Sequence, residues 1–193
     1  MRAKAPRSHR ARLVATLAGI VALISLAAPG GAAADVGGAA LPAPIAPPVP
    51  PPAPVPGAIA QLSDDERTAV PPAAAPEPVK QAIYSANRIT RRPYVWGGGH
   101  GSFRSRGYDC SGSVSYALHG AGMVDIPLDS SEFMRWGDSG LGAWITVYTN
   151  PGHAYVVIAG LRFDTSGPGE RGPRWRLGAR SSRSFKARHP VGF

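Results

Sequence analysis

A proline- and alanine-rich stretch from about Val36 to Pro78 divides this 193-residue chain and limits how much of it can pack. It includes "LPAPIAPPVPPPAPVPG" and "VPPAAAPEP" and holds most of the 21 prolines. Each proline fixes its own backbone torsion and removes a hydrogen-bond donor, and the stretch has few large apolar side chains to bury. Such a segment favours an extended, polyproline-like spacer of about 3.1 Å per residue where it is stiff. The predicted organisation is therefore a signal peptide over 1–34, a disordered spacer over 35–77 and one compact domain over 78–193. Within the spacer only "QLSDDERTAV" offers a short helix. The spacer reads either as a reach segment between the domain and something else, or as a tail with no task.

The leader has the three parts of a secretory signal. "MRAKAPRSHRAR" is basic, "LVATLAGIVALISLAA" is apolar but short for a membrane span, and Ala32-Ala33-Ala34 offers small residues for cleavage before Asp35. An uncleaved N-terminal anchor is the alternative. No cysteine follows the apolar run, which excludes a lipid-anchored cysteine, and no other segment is apolar enough to span a membrane. The leader carries five basic and no acidic residues, so its removal lowers the formal charge from +9 to +4. Much of the basicity is thus targeting sequence. The expected location is secreted, extracellular or in the cell wall, and nucleic acid is not an expected partner.

"PVKQAIYSANRIT" places Val79, Ala82, Ile83, Ala86 and Ile89 at helical spacing, with Pro78 in the first turn and Pro93 beyond the end. "PYVW" reads as a short strand and "GGGHGSFRSRG" as a glycine-rich loop. A second helix is predicted from about Cys110 to Gly120, with Val114, Ala117, Leu118 and Ala121 on the face of Cys110. "AWITVYT", "HAYVVIAG", "LRFDTS" and "PRWRLGAR" read as strands, the middle two forming a hairpin that turns at Ala159-Gly160. Helix, short strand, helix and antiparallel strands make an α+β domain. Trp96, Trp136 and Trp144 are expected in packing.

Cys110 is the only cysteine. Exported proteins use cysteine mostly in pairs, so a lone one is a small buried hydrophobe, an intermolecular cross-link or a nucleophile. A nucleophilic cysteine must be a thiolate, and a helix N-terminus and an imidazolium both favour that form. Cys110 sits at the predicted helix start with Asp109 as N-cap. The charge of Asp109 opposes the thiolate, so a base partner is needed. Of the five histidines, His9 leaves with the leader, His119 lies about 180° round the helix, and His189 sits in a basic tail. His153, opening a strand, is a more rigid base than His100 in the glycine loop. The hairpin register sets Tyr155 opposite Asp164, on the face of His153. Asp164 would then accept the second ring N–H, while Thr165 points to the other face and Ser166 lies a step further off.

"RPYVWGGGHGSFRSRGYDCSGSVSYAL", "IPLDSSEFMRWG" and "GHAYVVIAGLRFDTSG" together resemble the NlpC-type cell-wall peptidases, papain-like cysteine enzymes that cut peptidoglycan stem peptides. The resemblance runs from about Val79 to Gly167. It implies a papain-like fold, with the nucleophile at a helix N-terminus packed on an antiparallel sheet. It implies Cys110 as nucleophile, His153 as base and Asp164 as third polar residue. It sets Tyr94 beside the nucleophile, and Asp109 and Ser111 where relatives hold the amino end of a stem peptide. The chain departs from the family at "LGAWITVYTNPG", where a Pro-Gly-Asp-Leu-like segment is common, and in having Asp rather than His at the third position.

The expected activity is a secreted cell-wall hydrolase working through a cysteine acyl-enzyme, with peptidoglycan as partner. An amidase on a related scaffold and a catalytically inactive wall-binding module are the alternatives. No His, Cys or carboxylate cluster has metal-ligand spacing, so neither metal nor cofactor is expected. "RGPRWRLGARSSRSFKARHP" has seven basic and no acidic residues. Anionic wall polymers are a plausible partner for it, and a merely solvated face is the other reading.

Overall fold

The computed structural model describes residues 59–169 and 172–193. The signal over 1–34 and the spacer up to residue 58 lie outside the described residues. The elements in chain order are β1 (Gln61–Leu62), β2 (Ala69–Val70), α1 (Glu77–Ile89), α2 (Cys110–His119), α3 (Ser130–Phe133), β3 (Asp138–Ser139), β4 (Ile145–Asn150), β5 (His153–Ile158), β6 (Leu161–Asp164), β7 (Arg174–Arg176) and β8 (Lys186–His189). A six-stranded antiparallel sheet has the order β3-β8-β4-β5-β6-β7, and β1 pairs with β2 separately. The domain is α+β. α1 packs on α2, and α2 on β5 and β6.

α1 forms as its periodicity dictates. Val79, Ala82, Ile83, Ala86 and Ile89 are all buried, and proline occupies the first turn. α2 buries nearly every residue from Cys110 to Leu118, and small side chains let its backbone come close to its surroundings. A Cβ on Gly112 would lie 2.1 Å from the Gly98 carbonyl oxygen, so only glycine allows the glycine-rich loop to lie against the start of α2. The sheet core comes from Ile145, Val147, Ala154, Val156, Ile158, Leu161 and Phe163, alternate residues along β4, β5 and β6. The β5–β6 hairpin turns at Ala159 and Gly160, both with positive φ, and pairs Val156 with Phe163. Continued by one residue, that register sets Tyr155 opposite Asp164.

Four expectations are corrected. First, the domain begins well before residue 78. Ala60, Ala69 and Ala75 are buried in the core. "QLSDDERTAV" is a hairpin rather than a helix. The Asp65 carboxylate collects the Arg67 and Thr68 backbone N–H groups and the Ser63 hydroxyl, closing a turn in which helical bonding is lost. Asn87 of α1 then binds both the N–H and the C=O of Ala69, each at 2.9 Å. Its Oδ1 also accepts the Trp175 indole N–H at 2.7 Å. Residues 59–76 are therefore part of the domain, and only the earlier part of the spacer is open to that reading. Asn87→Ala should cost about 2–3 kcal/mol, because it strips three hydrogen bonds and leaves buried donors without a partner. Chemical denaturation checks this, and a change below about 0.5 kcal/mol would mean that the clamp is not structural.

Second, "PYVW" gives only a bridge between Tyr94 and Tyr108. Third, Trp96 is 85% exposed, whereas Trp136 and Trp144 pack against the core as expected. Fourth, the basic segment is not a free tail. β7 lies within "PRWRLGAR", where a strand is expected, but the segment after it also joins the main sheet as β8, inserted between β3 and β4. Trp175 is buried against Phe163. Arg188 turns back to the backbone carbonyls of Trp136 and Gly137. Among the described residues, no helix is long and apolar enough to cross a membrane.

Candidate active site

Cys110 is the first residue of α2 and only 9% exposed. The Asp109 carboxylate caps the helix by accepting the Gly112 N–H at 2.8 Å. His153 opens β5, so the packing of α2 on β5 sets the imidazole close enough to act on the Cys110 thiol. The Ala154 backbone N–H acts on the sulfur in the same sense.

His153 uses its far nitrogen on Asp164, at the end of β6, with Nε2 3.0 Å from Oδ1. That leaves Nδ1 for the sulfur. The Asp164 side chain is fully buried and its carboxylate is saturated. Oδ1 also accepts the Ser166 backbone N–H at 2.9 Å and the Ser166 hydroxyl at 3.1 Å. Oδ2 accepts from Arg180 Nη1 at 3.0 Å, with Arg162 3.9 Å away. The Ser166 hydroxyl lies 3.3 Å from His153 Nε2. The Phe185 ring stands edge-on to His153 and to Tyr155.

These contacts shift the three groups' titration. Burial pushes the Cys110 thiol up, but the bond from His153, the Ala154 N–H and the imidazolium charge outweigh it, and the thiol ends below its ordinary value despite the opposing charge of Asp109. Burial pulls His153 down, yet Asp164 and Cys110 raise it to about 9. For Asp164, burial acts upward and is outweighed by the His153 bond, the Ser166 N–H and the charges of His153 and Arg180, so it stays below the usual carboxylate value. The three shifts together favour a thiolate, an imidazolium and a carboxylate in a row. That array can attack an electrophilic carbon through sulfur and deliver a proton from the imidazole.

The chain matches no model of a known protein family and no curated protein. Its site is therefore read from its own residues.

The other residues singled out from sequence divide into two groups. Tyr94 lines a cavity of about 340 Å³ with His153, Thr165, Ser166 and Gly167, open beside the imidazole. Asp109 and Ser111 flank Cys110 in sequence, but their side chains are buried and engaged with each other and with His100. His100 Nε2 lies 3.0 Å from the Asp109 carboxylate and 3.2 Å from Ser111 Oγ. The second Asp109 oxygen accepts the Gly97 N–H at 3.1 Å. His100 thus braces the glycine loop against the helix cap, separate from the Cys110–His153 pair. Among the described residues, no group of three or more His, Cys, Asp and Glu side chains is placed to hold a metal ion.

Sequence reading missed Ser166 and Arg180. Ser166 had a local signal: in Asp-Thr-Ser the carboxylate of the first residue readily takes the N–H two residues on, which turns the chain back. Arg180 had none. It lies sixteen residues from Asp164 within a run of basic residues, and only the return of the chain after β7 delivers it.

Proposed function

We propose that this chain is a secreted cysteine endopeptidase of the NlpC type, with a papain-like catalytic domain, that cuts peptide bonds in peptidoglycan stem peptides. One observation carries the reading: the only cysteine starts a helix, and its sulfur meets an imidazole that a buried carboxylate holds from the other side. The sequence pattern around Tyr94, Cys110 and His153 supplies the substrate class.

In this reading the Cys110 thiolate adds to a stem-peptide carbonyl. The tetrahedral oxyanion lies near the N-terminus of α2, whose unpaired N–H groups favour negative charge. His153 gives its Nδ1 proton to the departing amine, the C–N bond breaks and an acyl-Cys110 remains. A water then loses a proton to His153 and attacks the acyl carbon. Release of the acid returns the thiolate and the imidazolium. The cavity lined by Tyr94, Thr165 and Gly167 receives the chain on the imidazole side. Asp109 and Ser111 shape the loop beside Cys110, and direct capture of a stem amine by them requires displacement of His100. Contact with anionic wall polymers would fall to exposed residues such as Lys186 rather than to Arg174, Arg180 and Arg188, which turn inward.

The test is mass spectrometry of purified peptidoglycan digested by the protein, with and without prior alkylation of Cys110. New fragments that end within the stem peptide, lost on alkylation, are expected. Cuts at the sugar–peptide junction would make it an amidase. No release above buffer, or release that survives alkylation, would overturn the cysteine-hydrolase reading.

A further inference from the structure

We infer that Arg180 is a positioning residue for the catalytic array: it ties Asp164 Oδ2 and the Ser166 hydroxyl to the connection between β7 and β8, so that Oδ1 stays on His153. The inference rests on the reading of Cys110 as the nucleophile. It adds a residue from a part of the chain outside the stretch that carries the family resemblance.

A carboxylate on a single Cβ–Cγ bond can rotate, and its two oxygens are equivalent until something distinguishes them. Here Ser166 donates to Oδ1 alone, through both its N–H and its hydroxyl. Ser166 is two residues from Asp164 and moves with it, so these bonds fix the local turn more than they fix the turn to the domain. Arg180 is different. Its Nη1 donates to Oδ2 at 3.0 Å and also to Ser166 Oγ, sixteen and fourteen residues back in the chain. It is the one donor within hydrogen-bond distance of Oδ2 among the described residues, since Arg162 stands at 3.9 Å.

The guanidinium is itself held. Its central carbon is 5.4 Å from the Tyr155 ring centroid and 5.3 Å from that of Phe185, and those two rings contact each other at 5.1 Å. Cation–π contact of this kind fixes a planar guanidinium better than it would an ammonium. Phe185 also stands against His153, with ring centroids 6.2 Å apart. One side-chain group therefore touches the acid, its turn and the rings that back the imidazole. Arg180 acts through Asp164, and nothing in the geometry puts it on the Cys110 sulfur.

A double-mutant cycle tests this. Wild type, Arg180→Met, Asp164→Asn and the double variant are compared by the rate constant for iodoacetamide alkylation of Cys110 at pH 7, and by kcat and KM on a defined stem peptide. Arg180→Met should slow alkylation and kcat about tenfold with KM little changed, and less than about twofold once Asp164 is already Asn. Arg183→Gln, an exposed charge in the same connection, should match wild type. Equal factors in both Asp164 backgrounds would overturn the inference, as would wild-type behaviour of Arg180→Met or equal damage from Arg183→Gln. Circular dichroism checks folding, and Arg180→Gln replaces the Met variant if that one does not fold. Alkylation needs no substrate. A cycle that holds in a protein that cuts no peptide therefore removes the peptidase reading and leaves the tether, whereas additive effects in an active enzyme do the reverse.

Discussion

Cys110→Ala is expected to abolish peptidoglycan cleavage and leave the fold nearly as stable as before. The sulfur is the only atom of the array that can form the acyl intermediate, so no neighbour substitutes for it. In hydrolases whose groups act as a unit, loss of the nucleophile costs at least about 10⁴-fold in kcat. The stability cost should be small for three reasons. The lost atom is one sulfur, alanine is a good helix former, and His153 keeps its bond to Asp164. His153→Ala should cost about as much activity, since it removes the proton carrier and the thiolate's partner together. His100→Ala should cost much less, acting only through the bracing of Asp109. Fragment release measured by mass spectrometry and thermal melting together decide the matter. Retained hydrolysis in Cys110→Ala, or a larger loss from His100→Ala than from His153→Ala, would sink the assignment.

What was legible in the sequence follows from how local each signal is. α1 and α2 announced themselves because burial every three to four residues is a property of the segment alone. The β5–β6 register was legible because a two-residue turn leaves one pairing, and that pairing puts His153 and Asp164 on one face. Three features were not legible, each for a non-local reason. The hairpin at residues 61–70 belongs to the domain because Asn87, on a later helix, binds Ala69 from both sides. β8 reads as a basic tail because its pairing partner β4 lies more than thirty-five residues earlier. Arg180 looks like surface charge until the chain folds back over Tyr155. Asp109 shows the converse case. Its place beside Cys110 was plain, but its carboxylate is engaged with Gly97, Gly112 and His100, which only the folded loop reveals.

Asp164→Asn is expected to lower the rate about 100-fold or more and to move the alkaline limb of activity toward neutrality. In the proposed mechanism the working form needs a deprotonated Cys110 and a protonated His153. Cys110 is shifted below its ordinary value, which favours the thiolate. His153 is raised to about 9, so activity should hold through pH 8 and fall as pH rises through about 9. Burial opposes that elevation; the Asp164 hydrogen bond is its largest cause, followed by Cys110 and by the Asp164 charge. Without the charge the imidazolium gives up its proton at lower pH, and the descending limb should move from near 9 toward the ordinary histidine value of about 6.5. The amide also cannot copy the bonding. Oδ1 accepts from Ser166 and His153 while Oδ2 accepts from Arg180, so both oxygens act as acceptors. Asparagine has one acceptor oxygen. Turned to Ser166, it points its NH₂ at the Arg180 guanidinium; turned to Arg180, it points NH₂ at Ser166 N–H and His153 Nε2, favouring a neutral imidazole whose Nδ1 carries the proton and whose sulfur partner stays a thiol. Asp164→Ala should fall further, since the imidazole loses its orienting acceptor altogether, and Arg162 and Arg180 lose their carboxylate. Thr165→Val should leave the alkaline limb near 9 and act only through KM, as Thr165 lines the cavity beside His153 but supplies no hydrogen bond to the array. The measurement is kcat/KM on one defined stem peptide across pH 5–10 for all four proteins. If Asp164→Asn lowers the rate but leaves the alkaline limb near 9, then the charge of Asp164 does not hold the imidazolium, and another group must supply the elevation.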